Sequence, residues 1–217
     1  MAKKKKRKVK FGRIFILLLI ICLLAYLGIL AYEKMNVKEV KTKKVKNIST
    51  IKEYDYSLKE NASPYFKKLY KKLDSVLSKD DVDEEEYMNL VCQMFVSDFF
   101  NLDNKISKND VGGVQFVFKD YQNDFEKYAM DSIYKSVESN VYGNRRQNLP
   151  IVEEAECSKV KNDSFKYGDS VDENAYVLNF DIKYKEDLGY QSEGSMIIIH
   201  SGKKLEVASM STEKSSS

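Results

Sequence analysis

Residues 14–32 form one uninterrupted apolar run, and this run limits what the chain can be more than any other feature. It has 19 residues, with no charge and no proline. As a helix it would be about 28 Å long, close to the roughly 30 Å hydrocarbon core of a bilayer. A helix that is apolar on every side predicts a transmembrane segment rather than a buried core helix. The run is too long for a cleaved signal peptide, and no small-residue cleavage site follows it, so we expect an uncleaved signal anchor.

The arm before this run, residues 1–13, is strongly basic. It carries no acidic residue and eight basic ones: Lys3, Lys4, Lys5, Lys6, Arg7, Lys8, Lys10 and Arg13. The positive-inside rule predicts a single-pass protein of the cell membrane, with a cytoplasmic N-terminus and an outer C-terminal domain. Six lysines between residues 34 and 46 oppose this orientation. We expect the eight basic side chains to contact anionic lipid headgroups; a nuclear import signal is the alternative that the composition allows.

Charge divides the chain into a basic part and an acidic part. Residues 1–60 carry 16 basic and 5 acidic side chains, a net charge of +11, whereas residues 61–217 carry 20 and 28, a net charge of −8. Nucleic-acid binding needs clustered Lys and Arg, so we expect no nucleic-acid partner for the acidic part and the lipid bilayer as partner of the basic part. Residues 33–60 are Lys-rich without a sustained helical stripe, which predicts an extended stalk.

Two helix starts follow the stalk. Ser63 precedes Pro64, which is an N-cap followed by the residue favoured at the first helical position. Asp83, followed three residues later by Glu86, is a variant of the capping box. Apolar residues recur after both starts at spacings of three and four, which predicts two amphipathic helices. We expect a third helix from Asp120, with an apolar face made of Tyr121, Phe125, Tyr128, Ala129, Ile133 and Val137.

The apolar pattern changes to a period of two after Pro150. The clearest strand is 176–184, in which every second residue is large and apolar. We expect further strands at 114–118, 151–161, 194–200 and 205–210, with a tight turn at 201–204. Helices followed by strands predict one α+β domain over 61–210, with three helices packed on a curved antiparallel sheet. The polar residues 211–217 predict a disordered tail.

The order of these elements resembles a known architecture. In the predicted order, 14–32 is the anchor, Ser63-Pro64 precedes the helices, and 176–184 and 196–210 form the curved sheet. In this order of elements the chain resembles the NTF2-like cone fold. More narrowly, it resembles the VirB8/TcpC-type proteins of conjugative transfer machines, which carry this fold outside the membrane. The resemblance is architectural and rests on no residue motif, so it assigns no functional residue. It implies an assembly module of a secretion or conjugation machine, although a fold does not fix a function.

Metal and cofactor chemistry has little support in the sequence. His200 is the only histidine, and Cys22, Cys92 and Cys157 have no CxxC spacing, so we expect no zinc site. The glycine pair at 112–113 lacks the Lys-Ser/Thr of a phosphate-binding loop, and we expect no cofactor. We expect Cys92 and Cys157 to be free, buried thiols. The alternative is a disulfide across a helix–sheet contact in an oxidising compartment.

An enzyme of this architecture would need a catalytic group inside the domain. Asp98 lies among hydrophobic residues of the second predicted helix, and burial in an apolar cavity would shift its pKa for acid–base chemistry. We expect Asp98 instead on the exposed edge of that helix, and we predict no catalytic residue. The sequence therefore favours a non-enzymatic scaffold whose partner is an envelope protein or a second copy of itself. The alternative is a carrier or sensor of a small apolar ligand in the cone.

Overall fold

The computed structural model describes residues 45–216 of the chain. Their strands and helices follow in the order β1 (Asn47–Ile51), β2 (Tyr56–Lys59), α1 (Pro64–Leu77), α2 (Glu84–Phe99), α3 (Gln122–Asp131), β3 (Val152–Tyr167), β4 (Ser170–Tyr184), β5 (Glu193–Ser201) and β6 (Lys204–Ser211). Two single-turn 3-10 helices, Val114–Phe116 and Lys119–Tyr121, precede α3. The predicted anchor at 14–32 lies outside the described residues. Within 45–216, no helix has the length and apolar character needed to cross a membrane.

The last four strands form one antiparallel sheet in the order β3-β4-β5-β6, so that each strand pairs with its neighbour in the sequence. In its register, Leu178 of β4 lies opposite Met196 of β5, which lies opposite Met210 of β6. Helix α2 contacts all four strands and α1, and the hydrophobic core lies between them. The predicted α+β class, with three helices against a four-stranded antiparallel sheet, is confirmed.

Both predicted helix starts are also confirmed. Ser63 Oγ accepts a hydrogen bond from Phe66 N at 3.1 Å, and Asp83 Oδ1 accepts one from Glu86 N at 3.0 Å. These bonds satisfy amide groups that have no partner in the first turn of a helix. The predicted apolar face of α1 is buried at Phe66, Leu69, Tyr70, Leu73, Val76 and Leu77.

The alternation predicted for 176–184 is present in β4. Leu178 and Phe180 of β4 are buried, whereas Asp181 and Lys183 are exposed. This alternation is the one expected for a sheet that is covered on one face. The tight turn between β5 and β6 contains Gly202 with φ +64°, a left-handed conformation that glycine adopts without steric cost.

Two elements before the sheet differ from the prediction. Residues 114–118 form a 3-10 turn with one parallel bridge at Val117 instead of a strand, since so short an apolar run does not distinguish the two. Helix α3 ends at Asp131, before the last two residues of its predicted apolar face. Ser132 Oγ donates to Tyr128 O at 2.6 Å, and such side-chain bonds compete with the helical ladder.

The segment predicted as a stalk contains a β-hairpin. Strands β1 and β2 pair antiparallel, and Tyr56 and Leu58 of β2 are buried. Tyr56 Oη donates to Leu205 O at 2.9 Å and lies 2.9 Å from Tyr87 Oη. The folded domain therefore includes residues 47–60 and does not begin at residue 61. Strand β2 alternates over only four residues, and so short an alternation within a Lys-rich segment does not indicate a strand from sequence alone.

The tail that was predicted to be disordered lies along the sheet up to residue 216. The side-chain amide of Asn179 donates to Ser215 O at 3.1 Å and accepts from Ser215 N at 2.8 Å. Ser195 Oγ donates to Glu213 O at 2.7 Å. The tail is held by side chains of the sheet rather than by apolar burial, so its Ser-rich, polar composition gave no sign of it.

A disulfide joins the central helix to the sheet. Cys92 of α2 is bonded to Cys157 of β3, with their Cα atoms 6.4 Å apart. The prediction of two free thiols is wrong, because the packing of α2 on β3 brings together two residues that are 65 positions apart in the sequence. Disulfides persist in oxidising compartments and are rare in the cytosol. The bond therefore indicates an oxidising, extracytoplasmic location for this domain.

Candidate functional site

The histidine of the chain lies between two carboxylates. His200 is near the end of β5, where its Nδ1 lies 2.8 Å from Asp172 Oδ2 of β4 and its Nε2 lies 2.6 Å from Glu84 Oε1 of α2. We call these three residues the His200 cluster. It connects the first residue of the central helix to two strands of the sheet.

Local structure explains why the carboxylates are available there. The Asp83 cap makes Glu84 the first residue of α2, where the positive end of the helix dipole favours a carboxylate. Asp172 Oδ2 also accepts a hydrogen bond from His200 N at 2.8 Å, and its Oδ1 accepts one from Asn174 N at 2.9 Å. Two backbone amide groups therefore hold the Asp172 carboxylate in place, in addition to its contact with the imidazole ring.

The charges of the His200 cluster favour an imidazolium between two carboxylates. Burial alone would lower the pKa of His200, but the hydrogen bonds to Asp172 and Glu84 outweigh burial and raise this pKa. Burial would raise the pKa of Asp172, yet the hydrogen bonds from His200 and Asn174 hold it below its usual value. Both ring nitrogens have partners, so in this arrangement neither is open to accept a proton from a substrate or to bind a metal.

An open cavity of about 540 Å³ adjoins the His200 cluster. Its lining combines both signs of charge with aromatic surface, from Glu53, Tyr54, Lys79, Asp80, Tyr87 and Lys203. Burial raises the pKa of Tyr87 to about 12, so this phenol stays protonated at neutral pH. Its hydroxyl is already bonded to Tyr56 and to the backbone of Leu205. The tyrosines therefore serve as internal hydrogen-bond partners.

Asp98 does not lie on an exposed helix edge, and that prediction is wrong. Its side chain is only 18% exposed and lies 2.6 Å from Lys105 Nζ, which is almost completely buried. The other carboxylate oxygen accepts from Gly113 N at 2.8 Å. Burial would raise the pKa of Asp98, but the charge of Lys105 and these hydrogen bonds keep it below its usual value. The adjacent cavity measures about 10 Å³, which leaves no room for a substrate.

An apolar cleft lies between α3 and the sheet. It consists of two adjacent cavities of about 410 and 320 Å³ that share Phe99, Tyr128 and Met210. We call this feature the α3 cleft. Tyr128 at its rim is 74% exposed, although it belongs to the predicted apolar face of the third helix. Exposed apolar surface of this kind marks protein-binding or ligand-binding sites.

The remaining predicted site residues are not tested by the structure. The eight basic side chains of residues 1–13 lie outside the described part of the chain. Among residues 45–216 there is no group of three or more His, Cys, Asp or Glu side chains that could hold a metal ion. In comparisons with known proteins, no family model, no curated protein and no solved structure matches the chain.

Proposed function

We propose that this chain is a single-pass membrane protein whose extracytoplasmic α+β domain is a non-enzymatic assembly module. Its partner is an envelope protein or a second copy of the chain. The observation that carries the proposal is the α3 cleft, an apolar surface with an exposed aromatic residue at its rim, Tyr128. Three helices before an antiparallel sheet agree with the NTF2-like, VirB8/TcpC-type resemblance, and we propose a secretion or conjugation machine as the assembly.

Two further observations support the membrane location. Residues 14–32 are long and apolar enough to span a bilayer. The disulfide between Cys92 and Cys157 fits a domain on the oxidising side of that membrane. Full-length protein that is released from membranes by alkaline carbonate would contradict the anchor.

The polar groups support a binding role over catalysis. The Asp98 carboxylate already accepts hydrogen bonds from Lys105 Nζ and Gly113 N. Both ring nitrogens of His200 already lie within hydrogen-bond distance of a carboxylate. A general base needs a free lone pair within hydrogen-bond reach of a substrate. Neither group offers one without breaking its present contacts.

Site-specific photo-crosslinking in intact membranes tests the proposal. A photoreactive phenylalanine analogue replaces Tyr128 in one variant and Tyr142 in the other. Both tyrosines are 74% exposed, but only Tyr128 lines the α3 cleft. We expect a discrete crosslinked product at position 128, to one envelope protein or to the chain itself, and none at position 142. Equal crosslinking at both positions, or none at either, would contradict a docking role for the cleft.

A small apolar ligand is the second candidate occupant. The two cavities of the α3 cleft fall in the volume range of ligand pockets. Organic extraction of the purified full-length protein followed by mass spectrometry should then yield one lipid-like compound in stoichiometric amount. Met210→Lys, which places a charge in the cleft, should lose that compound.

A further inference from the structure

Lysines dominate the exposed face of α1. The helix contains four lysines and one acidic residue, Asp74. Lys68, Lys71 and Lys72 are exposed, and their spacing of three and four residues places them on one face over adjacent turns. We call these three residues the α1 lysine row.

The α1 lysine row has no ion-pair partner in the part of the chain that the structure describes. None of the ion pairs among residues 45–216 includes a member of the row. By contrast, Lys105 and Lys214 pair with carboxylates at 2.6 and 2.7 Å. The row is thus a positive face on a part of the chain, residues 61–217, in which 28 acidic side chains outnumber 20 basic ones.

The row lies on the side of the domain where the N-terminal segment joins it. Lys67 Nζ, next to the row on α1, donates to Glu60 O at 2.9 Å. Glu60 N in turn donates to Lys46 O at 2.9 Å. The 13 residues 33–45 that separate this point from the apolar run span at most roughly 47 Å when extended. A tether of this length allows this side of the domain to reach a membrane that holds the run.

We infer that the α1 lysine row binds anionic lipid headgroups on the outer surface of the membrane that holds the chain. The inference rests on the membrane anchor of the proposed function. Headgroup phosphates carry the complementary charge, and flexible ammonium groups adapt to them without fixed geometry. The acidic remainder of the domain is repelled by the same surface. Attraction at α1 and repulsion elsewhere together orient the domain with α1 towards the lipid.

Lysine footprinting of the full-length protein in nanodiscs tests this inference. Nanodiscs of phosphatidylcholine alone are compared with nanodiscs that also contain phosphatidylglycerol. A water-soluble acetylating reagent modifies exposed lysines, and mass spectrometry quantifies each site. Lys127 on α3 and Lys183 on β4 are internal controls, with side chains 71% and 68% exposed.

We expect acetylation of the α1 lysine row to fall about threefold in the anionic nanodiscs at low salt. It should recover in about 0.5 M salt, because screening weakens charge interactions at the surface. Acetylation of Lys127 and Lys183 should not change. Equal acetylation of the row in both lipids would overturn the inference, as would protection that is independent of lipid and salt, since that indicates a protein contact. Protein that does not elute with nanodiscs would overturn the anchor and, with it, this inference.

Discussion

Glu84 and His200 are 116 positions apart in the sequence, yet Glu84 Oε1 lies 2.6 Å from His200 Nε2. The imidazole ring also packs 5.1 Å from the ring of Tyr176, and Asp172 holds its other nitrogen. The contact connects the start of the central helix to the sheet. Protonation of a single imidazole therefore supports the contact between these two layers of the domain.

The free energy of unfolding should fall as the pH rises through the raised pKa of His200. A group whose pKa is raised by folding stabilises the fold fully below its unfolded pKa, about 6.5 for His, and loses this effect above its folded pKa. Asp172 has a lowered pKa and stays ionised throughout this range. Because Glu84 is half-exposed, the change should be about 0.5–1 kcal/mol.

Urea denaturation of the protein at pH values below and above this range measures the effect. His200→Gln keeps a polar side chain that does not titrate, so the variant should lack this part of the pH dependence. A variant with the same pH dependence as the wild type would show that other groups cause it.

Reduction of the disulfide should destabilise the domain strongly. The bond between Cys92 and Cys157 closes a loop with a sequence separation of 65, for which loop entropy gives about 4 kcal/mol. The urea midpoint should fall in reductant. A Cys92→Ser/Cys157→Ser variant should have the low midpoint with and without reductant. A wild-type midpoint that does not respond to reductant would mean that the bond contributes little.

Asp98→Asn should cost about 3 kcal/mol of stability, because it leaves the ammonium group of Lys105 buried without a counter-ion. The double variant Asp98→Asn/Lys105→Met removes the buried charge as well and should recover part of the loss. Urea denaturation of both variants gives the coupling between the two side chains. A single variant within about 0.5 kcal/mol of the wild type would contradict the importance of this ion pair.

Gly112→Ala should destabilise the domain by about 2–3 kcal/mol. A Cβ at this position would overlap the carbonyl oxygen of Asp98 and the ammonium group of Lys105, and a backbone atom cannot move aside as a flexible side chain does. Gly168→Ala is the matched control, because its Cβ would meet no atom within 4 Å and only its φ of +55° is strained. It should cost about 1 kcal/mol. Equal losses in thermal unfolding would show that close packing at Gly112 is not the cause.

Local signals predicted the helix starts and the strand pattern. Ser63-Pro64 and Asp83 act within one helical turn, and the alternation around Phe180 reflects one covered sheet face. These features depend on neighbours a few residues away. They were therefore visible without any knowledge of the tertiary contacts.

Long-range contacts were not visible in this way. The sequence could not identify Glu84 and Asp172 as partners of His200, because separation along the chain does not indicate which residues are in contact. The disulfide and the inward position of Asp98 depend on how α2 packs against β3 and the following loop. The apolar face predicted for the third helix did not reveal that Ala129 would be buried while Tyr128, the residue before it, would be 74% exposed at the rim of a cleft.

The hydrogen bond from Tyr56 to Leu205 joins residues 149 positions apart and so places a limit on the order of folding. While the chain is being synthesised, the N-terminal hairpin can already contact Tyr70 of α1 and Phe116, but the acceptor at Leu205 is absent until almost the last strand has emerged. Domains with such non-local contacts fold slowly and late. The docking of the N-terminal hairpin must therefore stay incomplete, with the Tyr56 hydroxyl lacking this acceptor, until the C-terminal hairpin of β5 and β6 has formed.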